Sequence, residues 1–540
     1  MTPKKIDNRR EEAAVREVGV TAISCRLQKI VVGVFFLTLL SVPLTQIVLE
    51  FSARDWPRCF HIVRAIPNVA KAFRESPSLV SGISASNASL KRDFKNYEKT
   101  LEEESFLMRR ALPTVQHLGL RYLGLGNEKV YPGREGELFY RPDVDYVAGP
   151  GFLDPAELRH RPNSANPLPA LLKFRDDLAA RGIRLIVVPV PLKPVVDPEC
   201  LAGSISQSPL QNPSFDDFLA QLEKNGIEFV DACEAILDQK RSTGRAQFLK
   251  TDSHWTPSAM ECVARRVAEK IPSPKKPLLW SRGKPQSVRN HGDLVAMLRL
   301  SDLAAIYPLE EAVVTPVVGP DAAPWVHDPS AEILLLGDSF TNIYSHQDLG
   351  WGCSAGFAEH LSLALQKPLD RIAINAGGAF TTRQTLVRSP ERLEGKKIVI
   401  YEFAMRDLAC GDWKVLPLPE AKPVAEKQTP SRDDLFGTIK DITRAPKPGS
   451  VPYKDLIVCI HLTDIDGGSP AEALVFLHGM KNNIPTAASS LSPGDRIHIQ
   501  SVPWGSVEDK YGAFNRKEIN GPAAELEDIF WSEAIPEVDR

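Results

Sequence analysis

The chain has 540 residues, too many for one ordinary hydrophobic core, so at least two folded units are expected. Hydrophobic content of 43% and charged content of 25% exclude a disordered protein. A formal net charge of -3 argues against a nucleic-acid partner, and eight scattered cysteines without a C-x-x-C pair argue against a zinc cluster, so neither metal nor cofactor is expected.

From Ile30 to Leu49 the run IVVGVFFLTLLSVPLTQIVL carries no charge. Twenty helical residues span roughly 30 Å, the hydrocarbon thickness of a bilayer, and Pro43 is tolerable in such a helix. Lys4, Lys5, Arg9, Arg10, Arg16, Arg26 and Lys29 all precede the run, which orients the N-terminus to the cytoplasm. The expected order is a cytoplasmic tail over 1–29, a transmembrane anchor over 30–50 and the remainder outside the cytoplasmic (inner) membrane, in the periplasm. A cleaved signal peptide lacks an A-x-A site here, and a buried core helix is the plain structural alternative. Seven cysteines lie beyond the anchor, an odd number, so at least one is unpaired or pairs between chains. Cys200 and Cys233 flank one loop-and-helix unit and are the first candidate bridge, although connectivity is not readable from spacing.

Residues 51–125 read as a polar helical stalk, with SLKRDFKNYEKTLEEESFLMRRAL as its clearest piece. Lys129–Tyr146 then brings a turn bracketed by Gly133 and Gly136, and the strand ELFY. An α/β pattern follows over 126–415. PLPALLKFRDDLAARG is an amphipathic helix with Leu171, Leu172, Phe174, Leu178 and Ala179 on one face and Gly182 just past its end. IRLIVVPVP, IEFVDA, AEILLLGDSF, DRIAINAGG and KKIVIYEFAMRDL read as strands alternating with helices. This predicts a three-layer α/β/α domain with a mostly parallel sheet and its active site at the carboxyl ends of the strands. LPLPEAKPVAEKQTPSRDD marks a linker over 416–432, and four short strand-like runs over 433–540 predict a small all-β barrel or sandwich.

Within TDSHW, Asp252 and His254 lie two apart, so in an extended segment both side chains point into one pocket. A carboxylate there fixes the imidazole tautomer and stabilises the imidazolium. Thr256 reads as the N-cap and Pro257 as the first residue of a helix whose Ala259, Val263 and Val267 face the core. Ser339, in ILLLGDSF, follows a buried strand in a turn opened by Gly337, and its N–H is placed to stabilise an oxyanion. Structural alternatives stand beside each piece: a lone D-x-H is often surface or packing, and a strand-end Ser often caps the next helix. Together Asp252, His254 and Ser339 make a candidate triad in which His254 is the general base.

GDSF resembles the nucleophile block of the SGNH hydrolase superfamily, and DSHW upstream of it resembles the alginate O-acetyltransferase family, the AlgJ/AlgX-like proteins. GREGELFY from Gly133, RGIRLIVVPVPLKPVV at 181–196, INAGGAFTTRQTL at 374–386 and YEFAMRDL at 401–408 carry the same resemblance in the same order. It implies an SGNH-like fold over residues 126–415 and acetyl transfer to hydroxyls of an exported polysaccharide. It also implies a donor relayed by a multi-span membrane acyltransferase, which this sequence does not itself show. Carried over by position, Asp252, His254 and Ser339 take the triad roles, and Gly377 and Gly378 let backbone N–H groups approach the substrate or oxyanion. Asn375 and Arg383 are candidates for orienting it. Trp255 is either a sugar-stacking platform or a core aromatic, Asp338 a turn residue, and Arg406 with Glu402 a pair closing the site. Lys193 either faces the site or is exposed. Glu137 stands where the family block carries an aromatic. Two rival functions remain: a carbohydrate acetyl esterase with the same triad, and a non-catalytic polysaccharide-binding or scaffold component of a secretion complex. The C-terminal module reads equally as carbohydrate-binding or as architectural.

Overall fold

The computed structural model describes residues 24–52, 65–74, 78–204, 209–300, 306–419, 433–446, 451, 453–466, 470–512, 514–519, 523, 526, 528–534 and 536–539. The expected N-terminal tail up to residue 23 and most of the expected linker, 420–432, lie outside the described residues. The chain divides into two compact units, residues 1–115 and 116–540.

The first unit is helical. α1 (Cys25–Ser52) contains the uncharged run and one proline, Pro43, and is long and apolar enough to cross a membrane. At its C-terminal end Gln46 and Glu50 are buried, and Gln46 accepts a hydrogen bond from Ser105 at 2.9 Å. α2 (Ala65–Arg74) packs on α3 (Leu79–Glu104), and α4 (Phe106–Leu123) begins in this unit and ends in the next.

The second unit is built on a sheet. A short antiparallel pair, β1 (Val130–Pro132) and β2 (Leu138–Tyr140), leads into α5 (Arg141–Ala148). Then come α6 (Pro167–Ala179), β3 (Arg184–Val190), α7 (Phe215–Lys224), β4 (Glu228–Phe229) and α8 (Ala232–Thr243). α9 (Pro257–Ala268) starts as expected, with Thr256 accepting the Ala259 N–H and Pro257 at the first position. After α10 (Gly292–Met297) come β5 (Ile333–Gly337), α11 (Ser339–Asn342), α12 (Phe357–Leu365), β6 (Asp370–Ala373), α13 (Gly378–Arg388), β7 (Ile398–Ala404) and α14 (Arg406–Cys410). The sheet runs β6-β5-β7-β3-β4 with every pairing parallel. All seven residues of β7 and six of the seven in β3 are buried. Side chains alternate across a strand, so both faces are covered, which explains the unbroken apolar runs in the sequence.

Two local expectations change. In α6 the buried face is Ala170, Leu171, Phe174 and Leu178, while Ala179 is exposed at the fraying end. The bridge between Cys200 and Cys233 does not form: both are free, as are Cys262, Cys353, Cys410 and Cys459. Cys233 is packed into the core, and burial pushes its thiol up to about 12.

The C-terminal module is a barrel rather than a sandwich. β8 (Asp433–Ile442), β9 (Leu456–Thr463), β10 (Glu472–Lys481), β12 (Ile529–Ser532) and β11 (Arg496–Pro503) follow one another around it, and β11 pairs back with β8; β13 (Glu537–Asp539) adds to β11. Full closure removes the free strand edges that a small sheet would otherwise expose. Leu435, Ile439, Val458, Ile460, Val475 and Ile497 fill its interior. The barrel packs against α13, where Arg516 donates to Thr385 Oγ1 at 2.9 Å and Arg388 pairs with Glu518 at 2.9 Å.

Candidate active site

β5 ends at Gly337, and the next residues turn sharply into α11. A Cβ at Gly337 would lie 2.8 Å from Glu402 Oε2 and would also strike Thr341, so only glycine fits. Asp338 caps the turn: its Oδ1 accepts the Phe340 N–H at 2.7 Å. From β7, Glu402 Oε2 accepts the Asp338 N–H at 3.1 Å and the Thr341 hydroxyl at 2.7 Å. Burial, with Asp338 close by, holds Glu402 well above the usual carboxylate range. The resulting rigid turn presents the partly exposed Ser339 at the carboxyl edge of the sheet. Its N–H opens the first turn of α11, where backbone donors have no partner within the helix.

His254 reaches Ser339 from the other side. Its Nε2 lies 2.8 Å from Ser339 Oγ, and its Nδ1 lies 2.6 Å from Asp252 Oδ1. The two residues meet through a tight turn, not an extended pleat: Asp252 Oδ1 also accepts the His254 N–H at 3.1 Å. A short carboxylate that folds back onto its own backbone does this readily. Asp252 Oδ2 is satisfied by the Asp293 N–H at 3.0 Å and by Trp351 Nε1 at 2.8 Å. Burial opposes charge on both members of the pair. For His254, Asp252 outweighs burial and the imidazole is held above its ordinary value. For Asp252, His254, Trp351 and the Asp293 N–H outweigh it and the carboxylate is held below its ordinary value. The ring packs 4.7 Å from Phe340.

Several residues that organise this site escaped the sequence reading. Trp351 and Asp293 come from segments 99 and 41 residues beyond Asp252. Glu310 holds the loop from the far side, accepting the N–H groups of Lys250 at 2.7 Å and Thr251 at 2.9 Å. Lys193 is neither exposed nor aimed into the site. It is 2% exposed, donates to the carbonyls of Leu138, Leu249 and Lys250 at 2.8 Å each, and pairs with Glu137 at 2.7 Å. It thereby ties β2 and the Asp252 loop to the end of β3. Glu137, the departure from the family block, is the counter-charge of that clamp. The local trace of the clamp is only a Lys three residues past the end of a buried strand.

The secondary candidates divide differently from expectation. Arg406 pairs with Asp143 at 2.8 Å, not with Glu402, because Glu402 faces the Ser339 turn. The Arg406 guanidinium also lies over Tyr140 and Phe340. Trp255 is fully buried and edge-on to Phe340, so it is a core aromatic with no face for a sugar. Arg383 is 2% exposed and donates to the carbonyls of Ala379, Asp412 and Lys414, which makes it a brace for the chain after α14. The Gly377 N–H is taken by the Ile374 carbonyl at 3.1 Å. Gly378 has φ +55°, and a Cβ there would meet Asp407 Oδ2 at 3.2 Å. Asp407 in turn takes the Ala379 N–H, and burial pushes its carboxyl up to about 7. The glycines therefore serve the turn and its cap. Asn375 is buried, and its Oδ1 accepts from Asn342 Nδ2 at 2.9 Å, linking β6 to α11.

Asp252, His254 and Asp293 bring donor atoms within 4.8 Å of one another. Both oxygens of each carboxylate already accept hydrogen bonds from the chain, so the group is a hydrogen-bonded cluster. Chemically, the arrangement supplies a hydroxyl nucleophile, a base within reach of its proton and a carboxylate that orients the base.

Residues 130–405, about half of the chain, match the family described as SGNH hydrolase-like domain, acetyltransferase AlgX. The chain is 31% identical over 250 residues to the "Probable alginate O-acetylase AlgJ" of Pseudomonas fluorescens, covering 43% of this chain and 59% of that protein. Against the protein of the same name from Pseudomonas syringae pv. tomato it is 29% identical over 235 residues, covering 42% of this chain and 57% of that one. The chain thus spans less than two thirds of the length of these relatives. Among solved structures, the "O-Acetyltransferase Domain of Pseudomonas putida AlgJ" has 22% identity and a TM-score of 0.41, with 52% of this chain and 92% of that one covered. The match over residues 130–405 encloses Asp252, His254 and Ser339, and the chain belongs to this AlgX-type SGNH hydrolase-like family.

Proposed function

We propose that this protein is an O-acetyltransferase that acetylates hydroxyls of an exported, alginate-like polysaccharide through an acetyl group carried on Ser339. The observation that carries the reading is the unbroken hydrogen-bonded path from Ser339 Oγ through His254 to Asp252. Ser339 Oγ attacks the acetyl carbonyl as its proton passes to His254 Nε2. The donor's leaving group departs with that proton. A sugar hydroxyl, deprotonated by His254, then attacks the acetyl-enzyme and restores Ser339.

α1 supports a single-pass anchor in the cytoplasmic membrane with the catalytic unit on the periplasmic side. That position favours transfer over hydrolysis, since it sets the site beside a donor supplied by a multi-span membrane acyltransferase. The SGNH-like unit is read as three layers, with helices on both faces of its five-stranded sheet.

The test is brief exposure of the protein to an activated acetyl ester, followed by peptide mass spectrometry, beside Ser339→Ala and His254→Ala. An acetyl group on Ser339, absent in both variants, is expected, followed by its loss to added polysaccharide faster than to water. Labelling that survives Ser339→Ala would overturn the assignment.

A further inference from the structure

Asp293 opens the first turn of α10 and meets the turn that carries His254 on the Nδ1 edge of its ring. Its Oδ1 accepts the Ser253 N–H at 2.8 Å and its Oδ2 the Ser253 hydroxyl at 2.6 Å. Its own N–H donates to Asp252 Oδ2 at 3.0 Å, and its Oδ2 lies 3.9 Å from His254 Nδ1. The approach is close enough to demand glycine before it: Gly292 has φ +69°, and a Cβ there would run into the Thr251 carbonyl and sit 2.9 Å from Thr251 Oγ1. Two carboxylates therefore share one histidine, and only one of them belongs to the triad.

We propose that Asp293 is a positioning residue for acyl transfer: it locks the Ser253–His254 turn in register with Asp252 and holds a second carboxylate beside the Nδ1 edge of His254. It acts through His254 and touches no reacting atom. The inference rests on Ser339 as nucleophile and His254 as base. While the Ser339 proton is on Nε2, the ring is an imidazolium whose Nδ1–H stays in place, and both carboxylates face that charge. When the leaving group takes the proton from Nε2, the charge disappears and the interaction with Asp293 relaxes. The groups that face this pair are Asp252, Arg406 and Asp143 toward His254, and Asp252 and Tyr140 toward Asp293. Burial, reinforced by Asp252, pushes Asp293 up to about 7, so its charge is gained across neutral pH.

Asp293→Asn keeps an oxygen for the Ser253 N–H but removes the charge. The full chain, labelled at its histidine ring nitrogens, is titrated by NMR, and Ser339 acetylation by an activated acetyl ester is followed against pH in parallel. The His254 pKa and the acidic limb of the acetylation profile are expected to fall together, by about one pH unit. Ser253→Ala, which leaves Asp293 in place with one donor fewer, is expected to shift both in the same direction by less. Acetylation of the folded wild type with an unmoved His254 pKa in both variants would leave Asp293 a mere brace and overturn the inference alone. A folded wild type in which Ser339 is never acetylated would overturn the acyl-transfer reading, and the inference with it.

Discussion

Replacing Lys193 with Met removes a cation that the fold has taken almost wholly out of water. Three backbone carbonyls at 2.8 Å lose their donor, and Glu137 at 2.7 Å loses its counter-charge. Breaking a buried ion pair costs about 3–5 kcal/mol, and hydrogen bonds to a charged donor contribute roughly 1.5–3 kcal/mol each. These terms overlap. Glu137 is 18% exposed and recovers part of its hydration. The lower figures apply, and a net loss of about 3–4 kcal/mol is expected. Urea unfolding followed by tryptophan fluorescence measures it, because the buried Trp255 and Trp351 lie in the same unit. Glu137→Gln alone is expected to cost less, because Lys193 keeps its three carbonyls, and the double variant less than the sum of the two, since removing both charges leaves neither unpaired. A Lys193→Met chain that unfolds within about 1 kcal/mol of the wild type would refute the clamp and its role in seating the Asp252 loop.

Three further outcomes follow from the same geometry. Because His254 acts as base when neutral and Asp252 helps to hold it above its ordinary value, Ser339 acetylation should reach half its maximum above pH 6.5; Asp252→Asn should lower that midpoint and cut the rate about 10³–10⁴-fold, measured by quench and mass spectrometry. Asp370 is buried, but bonds from His327 and the charges of Arg392 and Lys396 hold it at about 2, depressed from 3.8. Its contribution, about 2 kcal/mol, is present above the unfolded value near pH 4 and is lost as pH falls toward 2; Asp370→Asn should flatten the stability curve over that window, read by urea titration at each pH. Gly337→Ala forces a methyl against Thr341 and Glu402 and should cost about 1–3 kcal/mol, with Ser339 acetylation reduced, read by thermal unfolding and by acetylation at one pH.

Much of this protein was legible in the sequence because local chemistry fixed it. The apolar strands, the Thr256–Pro257 helix start, the Gly337 turn and the pairing of Asp252 with His254 depend on residues close in the chain. Their signals are periodicity, capping and turn residues, which act over a few positions. What the tertiary structure decided were contacts between distant segments. Arg406 chose Asp143, 263 residues away in the chain, over the nearby Glu402, because the end of β7 turns one side chain toward α5 and the other toward the turn after β5. The sequence leaves Lys193 either facing the site or exposed, because nothing local shows that three carbonyls converge on it. For the same reason the sequence leaves Trp255 open between a sugar platform and a core aromatic and offers Arg383 as a substrate group, whereas both are buried: burial belongs to packing, and packing is not periodic. The sequence by itself thus determined which groups were candidates for the Ser339–His254–Asp252 path; the fold determined that they meet and which of their neighbours hold them in place, because desolvation and charge pairing depend on what surrounds a side chain in space.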